Sequence, residues 1–236
     1  MAQGTLLHDW TEFLKEHPIQ QFGQSHDVST FNGATGCTHT ILQILILAKT
    51  GRLYSHDEIS TIATYPWPKN NPNMRGLYSG GNDNEVGRVL RNFGIPMDII
   101  FGANWRDLID IWSPRGPIQM GIIYGYYPED RGYVYHGIKA DGKPVGFAYL
   151  NGKTQLVGAE RIFHATLFAG HRWDDKYDAT VAFVKEPNHG SEARPEKPGY
   201  DIIKATQMRT AYQSYSRTGR RSLAWVPTKR WAPRGA

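Results

Sequence analysis

The sequence predicts an α+β fold, because helical patterns dominate its first half and strand patterns its second half. Up to Phe93 the apolar residues recur at the spacing of amphipathic or buried helices. From Pro96 onward they fall into short runs, and Asp141-Gly142 and Asn151-Gly152 between these runs are typical hairpin turns. A chain of 236 residues fits one generous domain, or one domain with extensions.

The predicted helices of the first half differ in how much of their surface is apolar. Residues 5–16 have one apolar stripe, so they should form an amphipathic helix that packs on the core or on a partner. The helix that begins at Cys37 is apolar on nearly every face and should therefore be buried. A third helix begins with the capping box of Ser55 and Glu58, and a fourth covers residues 82–93.

The second half is predicted to contain mainly strands. They cover residues 96–101, 117–127, 132–138, 145–150, 155–157, 163–169 and 180–185. A short helix is expected at residues 105–112 and a loop at residues 187–198. Residues 200–212 have the pattern of a strand that passes into a helix.

The positive charge is concentrated at one end of the sequence. The net charge is +5, and residues 216–236 contain six Arg and Lys residues and no acidic residue. The rest of the chain is close to neutral, which argues against a nucleic-acid-binding core. Trp225 and Trp231 stand among these arginines, a pattern that is more typical of a docking segment than of a disordered end. We therefore predict a docking arm over residues 216–236, outside the main domain.

Several classes of site are excluded by the sequence. Cys37 is the only cysteine, so no internal disulfide forms. The histidines lack the ligand pairs that a zinc site needs, and the phosphate-binding loop motif is absent, so neither a metal nor a cofactor is predicted. No signal-peptide pattern and no apolar run of membrane-spanning length is present, so we expect a soluble protein without a membrane partner.

Cys37 has the position of a reactive thiol. It follows the Gly-rich turn Asn32-Gly33-Ala34-Thr35-Gly36 and opens the buried helix. Free N–H groups and the positive end of a helix dipole stabilise a thiolate at such a position. The alternative is that Cys37 is a small buried hydrophobic residue, as free cysteines often are.

A thiolate nucleophile needs a base and a group that orients the base. His164 stands at the head of an apolar strand, where its direction would be fixed. The next strand ends in Glu186-Pro187-Asn188. If the two strands pair, Glu186 or Asn188 could hold the imidazole.

Three other histidines are weaker candidates for the base. His136 and His171 could serve only if the predicted strand alignment is shifted, and His171 is expected in a turn after the strand. His39 is two residues from Cys37, so on a helix it points away from the thiol.

The order of these parts resembles that of papain-fold cysteine peptidases of the C39-like type, including the stand-alone versions found in bacteriophage genomes. In that family a Gln precedes the nucleophilic Cys, a His begins a strand of the form His-Ala-x-x-x-x-Gly, and the next strand ends in Asp-Pro-Asn or similar. The chain has Gln24, Cys37, His164-Ala165-Thr166-Leu167-Phe168-Ala169-Gly170 and Glu186-Pro187-Asn188 in that order, over roughly residues 19–212.

The resemblance implies a papain-like fold, with N-terminal helices, including the Cys helix, packed on a C-terminal antiparallel sheet. The residue patterns and the resemblance together divide the chain into three segments. An N-terminal helix at residues 1–18 precedes a peptidase domain at residues 19–215, and a basic tail follows at residues 216–236.

The chain departs from the family pattern at four points, one of which is Phe163 where the family has Gly before the histidine. The family has Cys-Gly-Pro where this chain has Cys37-Thr38-His39, and its orienting Asp is replaced by Glu186. Gln24, the oxyanion residue that the resemblance implies, is farther from the Cys than is usual. Gln20, Gln21 or the backbone N–H of the Cys alone are the alternatives for this role.

The resemblance implies a hydrolase that cleaves peptide bonds through an acyl-enzyme on Cys37, with His164 as the base. Its substrate would be a peptide or, for an amidase or endopeptidase, a peptidoglycan cross-link. The alternative from a different class is a virion structural or assembly protein that keeps the peptidase fold. Such a protein would dock on virion or tail proteins through residues 216–236, and a virion-associated peptidase would combine both functions.

Overall fold

The computed structural model of the chain describes residues 4–19, 37–63, 83–126, 136–138, 144–146, 160–185, 187, 199–215 and 222–235. Gln24, Glu186 and Asn188 lie outside these residues, as do Gln20, Gln21 and the strand predicted at residues 155–157. At His164 the backbone is described, as part of a strand.

The four helices predicted in the first half are present. They are α1 (His8–Glu16), α2 (Cys37–Thr50), α3 (His56–Ala63) and α4 (Asp83–Asn92). The capping box of α3 is formed, because the Glu58 N–H donates to Ser55 Oγ at 3.1 Å and the Ser55 N–H donates to Glu58 Oε2 at 2.8 Å. None of the helices in the described part of the chain has both the length and the apolar character that crossing a bilayer requires.

The second half forms an antiparallel sheet, so the predicted α+β class is confirmed. Its strands are β1 (Met97–Phe101), β2 (Ile118–Tyr126), β3 (His136–Ile138), β4 (Pro144–Gly146), β5 (Glu160–Asp174), β6 (Ala179–Lys185), β7 (Asp201–Lys204) and β8 (Leu223–Pro227). The strand order is β1-β8-β2-β5-β6-β7, with β3 beside β2 and β4 beside β3.

Short helical elements interrupt and follow the strands. Between β1 and β2, α5 (Trp105–Asp107) continues into a π-helical turn (Leu108–Trp112) and a 3-10 turn (Ser113–Arg115). After β7 comes α6 (Ala205–Tyr215), so the predicted passage from strand to helix in this region is confirmed.

The sheet separates two apolar clusters. Side chains along a strand alternate between the two faces. Leu167 and Ala169 belong to the cluster that contains α1 to α4, whereas Phe168 and Ala182 belong to the cluster that contains α6. The helix α2 packs on β5 within the first cluster. The predicted arrangement of a buried Cys helix against an antiparallel sheet is therefore present.

The prediction of a docking arm is wrong for residues 222–235, the described part of that segment. β8 is an interior strand that lies between β1 and β2, and Trp225 pairs with Ile99 on one side and with Gln119 on the other. Trp225 is only 4% exposed. A strand buried on both faces is a continuous apolar run, here Leu223-Ala224-Trp225-Val226, and lacks the alternation that marks a half-buried strand.

The two predicted extensions pack on the domain. Ahead of α1, the Thr5 carbonyl oxygen accepts a hydrogen bond from the His171 N–H of β5 at 2.8 Å. Beyond β8, the Arg234 N–H donates to the Ala48 carbonyl oxygen of α2 at 2.7 Å. The apolar residues Trp10, Phe13 and Leu14 of α1 are buried in the core cluster, so the helix packs on the core.

Candidate active site

Cys37 is the first residue of α2 and is buried, with 8% of its surface exposed. The helix that follows is buried along nearly its whole length, between β5 on one side and α3 and α4 on others. The N–H groups of a first helical turn have no partner within the helix, and the helix dipole is positive there. The predicted setting of the thiol at the start of a buried helix is thus present.

The predicted pairing of the two strands that carry the other candidates is also present. β6 runs antiparallel to β5, and Lys185 at the end of β6 lies opposite Leu167. β6 therefore ends at the side of the sheet where β5 begins. A contact of His164 with Glu186 or Asn188 needs this arrangement, and those contacts remain predictions.

The backbone register sets the position of His164 within the sheet. β2 and β5 pair without a bulge, which sets Ile122 opposite His164. Position 164 therefore has the parity of Phe168, and Ile122 and Phe168 both belong to the cluster of α6. The helix α2 packs on the other face, beside Leu167. Contact of the His164 side chain with Cys37 stays a prediction.

The prediction that His171 lies in a turn is wrong. β5 continues through His171 after a bulge that begins at Phe168. The rings of Phe168 and His171 stack with 6.3 Å between their centroids. Phe168 belongs to the cluster of α6, so His171 lies on that side of the sheet. Burial lowers the pKa of His171, and the carboxylate of Asp110 acts in the opposite direction. Because α2 lies on the other face, we do not expect His171 to serve as the base for Cys37.

His136, the other alternative base, lies in β3. Its backbone pairs with Gly125 near the end of β2, and with Gly146 of β4 on its other side. His136 is therefore not on β5 or β6, the strands that carry or precede the other candidate residues.

A buried polar network between α2 and α3 was not predicted from the sequence. It consists of His39 and Gln43 on α2 and His56 and Ser60 on α3, all buried. His39 Nε2 lies 3.0 Å from Ser60 Oγ, and His56 Nε2 lies 3.0 Å from Gln43 Oε1. Each helix contributes its two residues at i, i+4 spacing, which sets them on one face. That spacing of polar residues in otherwise apolar helices is the signal that could have found the network.

Hydrogen-bond directions define the protonation of this network. Gln43 Nε2 donates to the Tyr54 carbonyl oxygen at 2.7 Å, so Gln43 Oε1 is the atom that faces His56. An amide oxygen only accepts, and therefore His56 Nε2 carries a proton and donates it. Burial lowers the pKa of His39 to about 4, so this imidazole is neutral at neutral pH.

Other features of the described residues offer no rival centre. Among them, no three His, Cys, Asp or Glu side chains are grouped so that they could hold a metal ion. Two surface clefts flank α1. One is lined by Asp9, Glu12 and Glu16, and the other by Arg115 and Arg230. Cys37 lines neither of them.

Comparisons with known proteins give one structural similarity. No protein-family model and no curated protein matches the sequence. A crystal structure from Bacillus anthracis, provisionally described as a C39-like peptidase, is similar with a TM-score of 0.48 and 12% sequence identity. The similarity covers 95% of this chain and 98% of that one.

Proposed function

We propose that the chain is a cysteine peptidase in which Cys37 is the nucleophile. The observation that carries the proposal is the position of Cys37, the sole cysteine, at the first residue of the buried helix α2. A helix N-terminus carries a partial positive charge, which stabilises a thiolate. A stabilised thiolate is the reactive form that covalent catalysis by cysteine needs.

In the proposed reaction, His164 takes the proton from Cys37 Sγ and the thiolate attacks the carbonyl carbon of a peptide bond. The oxyanion accepts hydrogen bonds from the Cys37 N–H and from Gln24. His164 then gives the proton to the leaving amine as the C–N bond breaks, and the acyl group stays on Cys37 Sγ as a thioester. His164 next activates the water that hydrolyses this thioester and releases Cys37. Glu186 or Asn188 holds the imidazole in the required orientation.

The substrate class is a compound with an accessible amide bond. A peptide and a peptidoglycan cross-link both contain such a bond, and the same catalytic groups would serve for either.

A second candidate function is that of a structural or assembly protein that keeps the fold without catalysis. The burial of Cys37, with 8% of its surface exposed, favours it, because buried free cysteines are often unreactive. In this candidate Cys37 is a small residue of the core.

Covalent capture of Cys37 distinguishes the two candidates. A peptide that carries an epoxide should alkylate the peptidase at neutral pH much faster than it alkylates free cysteine, and the adduct is located on residue 37 by mass spectrometry. Cys37→Ser is the control that should form no adduct. An adduct that forms no faster than with free cysteine would contradict the proposed peptidase function and favour a structural protein. If the adduct forms, cleavage of peptides and of peptidoglycan fragments is compared to assign the substrate.

A further inference from the structure

We infer that the buried network of His39, Gln43, His56 and Ser60 positions Cys37 for reaction. The inference rests on the proposed function, since positioning matters only if Cys37 reacts. His39 is in the first turn of α2, two residues from Cys37, and its contact with Ser60 ties that turn to α3. The members of the network are positioning residues, because they act on Cys37 through the backbone of α2.

Apolar packing alone would restrict the position of α2 relative to α3 less than the hydrogen bonds do. Beyond the first turn its buried side chains are aliphatic apart from Gln43, and hydrophobic contacts are non-directional. Hydrogen bonds weaken steeply when their distance and angle change. The His39–Ser60 and Gln43–His56 contacts are one helical turn apart on α2, so together they restrict both the rotation of α2 and its sliding along α3.

The composition of the network also indicates a geometric role. Buried polar groups are costly unless they are hydrogen-bonded, and a partly satisfied network is worse than an apolar contact. Apolar side chains of similar volume would stabilise the same interface without this requirement. Polar residues at four facing positions define one relative placement of α2 and α3, and with it the placement of the first turn that carries Cys37.

The test compares Ser60→Ala with Ser113→Ala in the full chain. Ser113 is the matched control, because it is also buried and its Oγ has no hydrogen-bond partner among the described residues. The first measurement is backbone hydrogen exchange of residues 41–43, whose N–H groups bond to the carbonyls of residues 37–39 in the helix. We expect Ser60→Ala to speed this exchange about tenfold, since one buried hydrogen bond is lost. Ser113→Ala should leave it unchanged.

The second measurement is the rate at which iodoacetamide alkylates Cys37 as a function of pH. Ser60→Ala should slow alkylation at neutral pH about tenfold, because the thiolate loses its alignment with the first-turn N–H groups. Ser60→Thr keeps a hydroxyl and should restore the rate. If Ser60→Ala does not fold, Gln43→Met serves instead, because it keeps the side-chain volume and loses both hydrogen bonds of the amide. We then expect Gln43→Met to speed the exchange of residues 41–43 and to slow the alkylation of Cys37.

The outcomes separate this inference from the proposed function. Fast alkylation of the wild type that Ser60→Ala leaves unchanged would overturn the positioning role and keep Cys37 as a nucleophile. Alkylation of the wild type at the rate of free cysteine would overturn the proposed function. In that case, faster exchange of residues 41–43 in Ser60→Ala would still establish that the network holds the first turn of α2, and unchanged exchange would overturn this role as well.

Discussion

The indole of Trp10 lies edge-on to the indole of Trp231, with 4.8 Å between the ring centroids and 75° between the ring planes. Trp10 Nε1 also donates to the Trp231 carbonyl oxygen at 3.4 Å. Trp10 belongs to α1, whereas Trp231 follows β8, so the pair joins the beginning and the end of the described chain. The Trp231 N–H is bonded in turn, to the Arg115 carbonyl oxygen at 2.9 Å. The segment after β8 is therefore part of the packed domain.

Replacement of Trp225 by Ala should destabilise the whole domain. The side chain is buried in the cluster of α1 to α4, and removal of a buried Trp costs about 3–5 kcal/mol. Urea unfolding measures the loss. Trp173→Ala is the matched control, because that indole is half-buried and donates to the exposed Asp175. Equal losses in the two variants would contradict the interior position of β8.

Gly170→Ala should detach the segment that precedes α1. Gly170 has a φ of +119°, and a Cβ at this position would lie 2.6 Å from the Thr5 carbonyl oxygen. Gly102 is the matched control, since its φ is +70° but no described atom lies within 4 Å of its Cβ position. Both variants should lose about 1–2 kcal/mol through the positive φ. Only Gly170→Ala should also speed hydrogen exchange of the His171 N–H, which donates to Thr5. The same exchange rate in both variants would argue against the close approach.

Acid should weaken the domain through His39. Because burial lowers the pKa of His39 from 6.5 to about 4, the unfolded chain binds a proton at this residue between these values and the folded chain does not. Stability from this residue is complete above pH 6.5 and falls as the pH drops toward 4, by about 3 kcal/mol in total.

The measurement is the free energy of unfolding as a function of pH for the wild type and for His39→Gln. The slope between pH 6.5 and 4 should be smaller in the variant. Burial also lowers the pKa of His171, so His171 contributes to the slope in both proteins. The contribution of His39 is therefore the difference between the slopes of the wild type and of His39→Gln. His8→Gln, the same substitution at an exposed residue, is the control. Parallel curves for wild type and His39→Gln would show that His39 does not titrate as expected.

If the chain is a peptidase, His164→Ala should abolish turnover, whereas Glu186→Gln should reduce it less, because an orienting group assists and does not react. The activity is measured on the substrate found by the capture experiment, and circular dichroism checks the fold of each variant. His171→Ala is the control histidine and should be mild. A larger loss of turnover in Asn188→Ala than in Glu186→Gln would assign the orienting role to the Asn188 amide. Full turnover of His164→Ala would mean that another base serves Cys37.

Local sequence patterns predicted the parts of the fold that local interactions determine. The capping box of Ser55 and Glu58 and the buried helix after Cys37 depend on residues within a few positions of one another, so their spacing was informative. The pairing of β5 with β6 was also predictable, because a short turn joins the two strands.

Non-local contacts explain what the sequence did not reveal. The run at residues 223–227 pairs with strands more than a hundred positions earlier, and a strand buried on both faces carries no alternating pattern. The partners of His39 and Gln43 are on another helix, so the sequence offered only isolated polar residues. The parity of position 164 depends on the register with β2, which no local pattern defines.

The interior position of β8 has a consequence for the folding of the chain during synthesis. Among the described strands, β1 pairs with β8 alone, so β1 and β2 become neighbours of one sheet only through residues 223–227. A nascent chain that has not yet reached these residues presents two unpaired strand edges, and such edges promote aggregation. Contacts of such long sequence separation also slow folding, because loop closure must precede them. Ribosome stalling before β8 should therefore yield insoluble chains, and a chaperone that shields strand edges should reduce that loss.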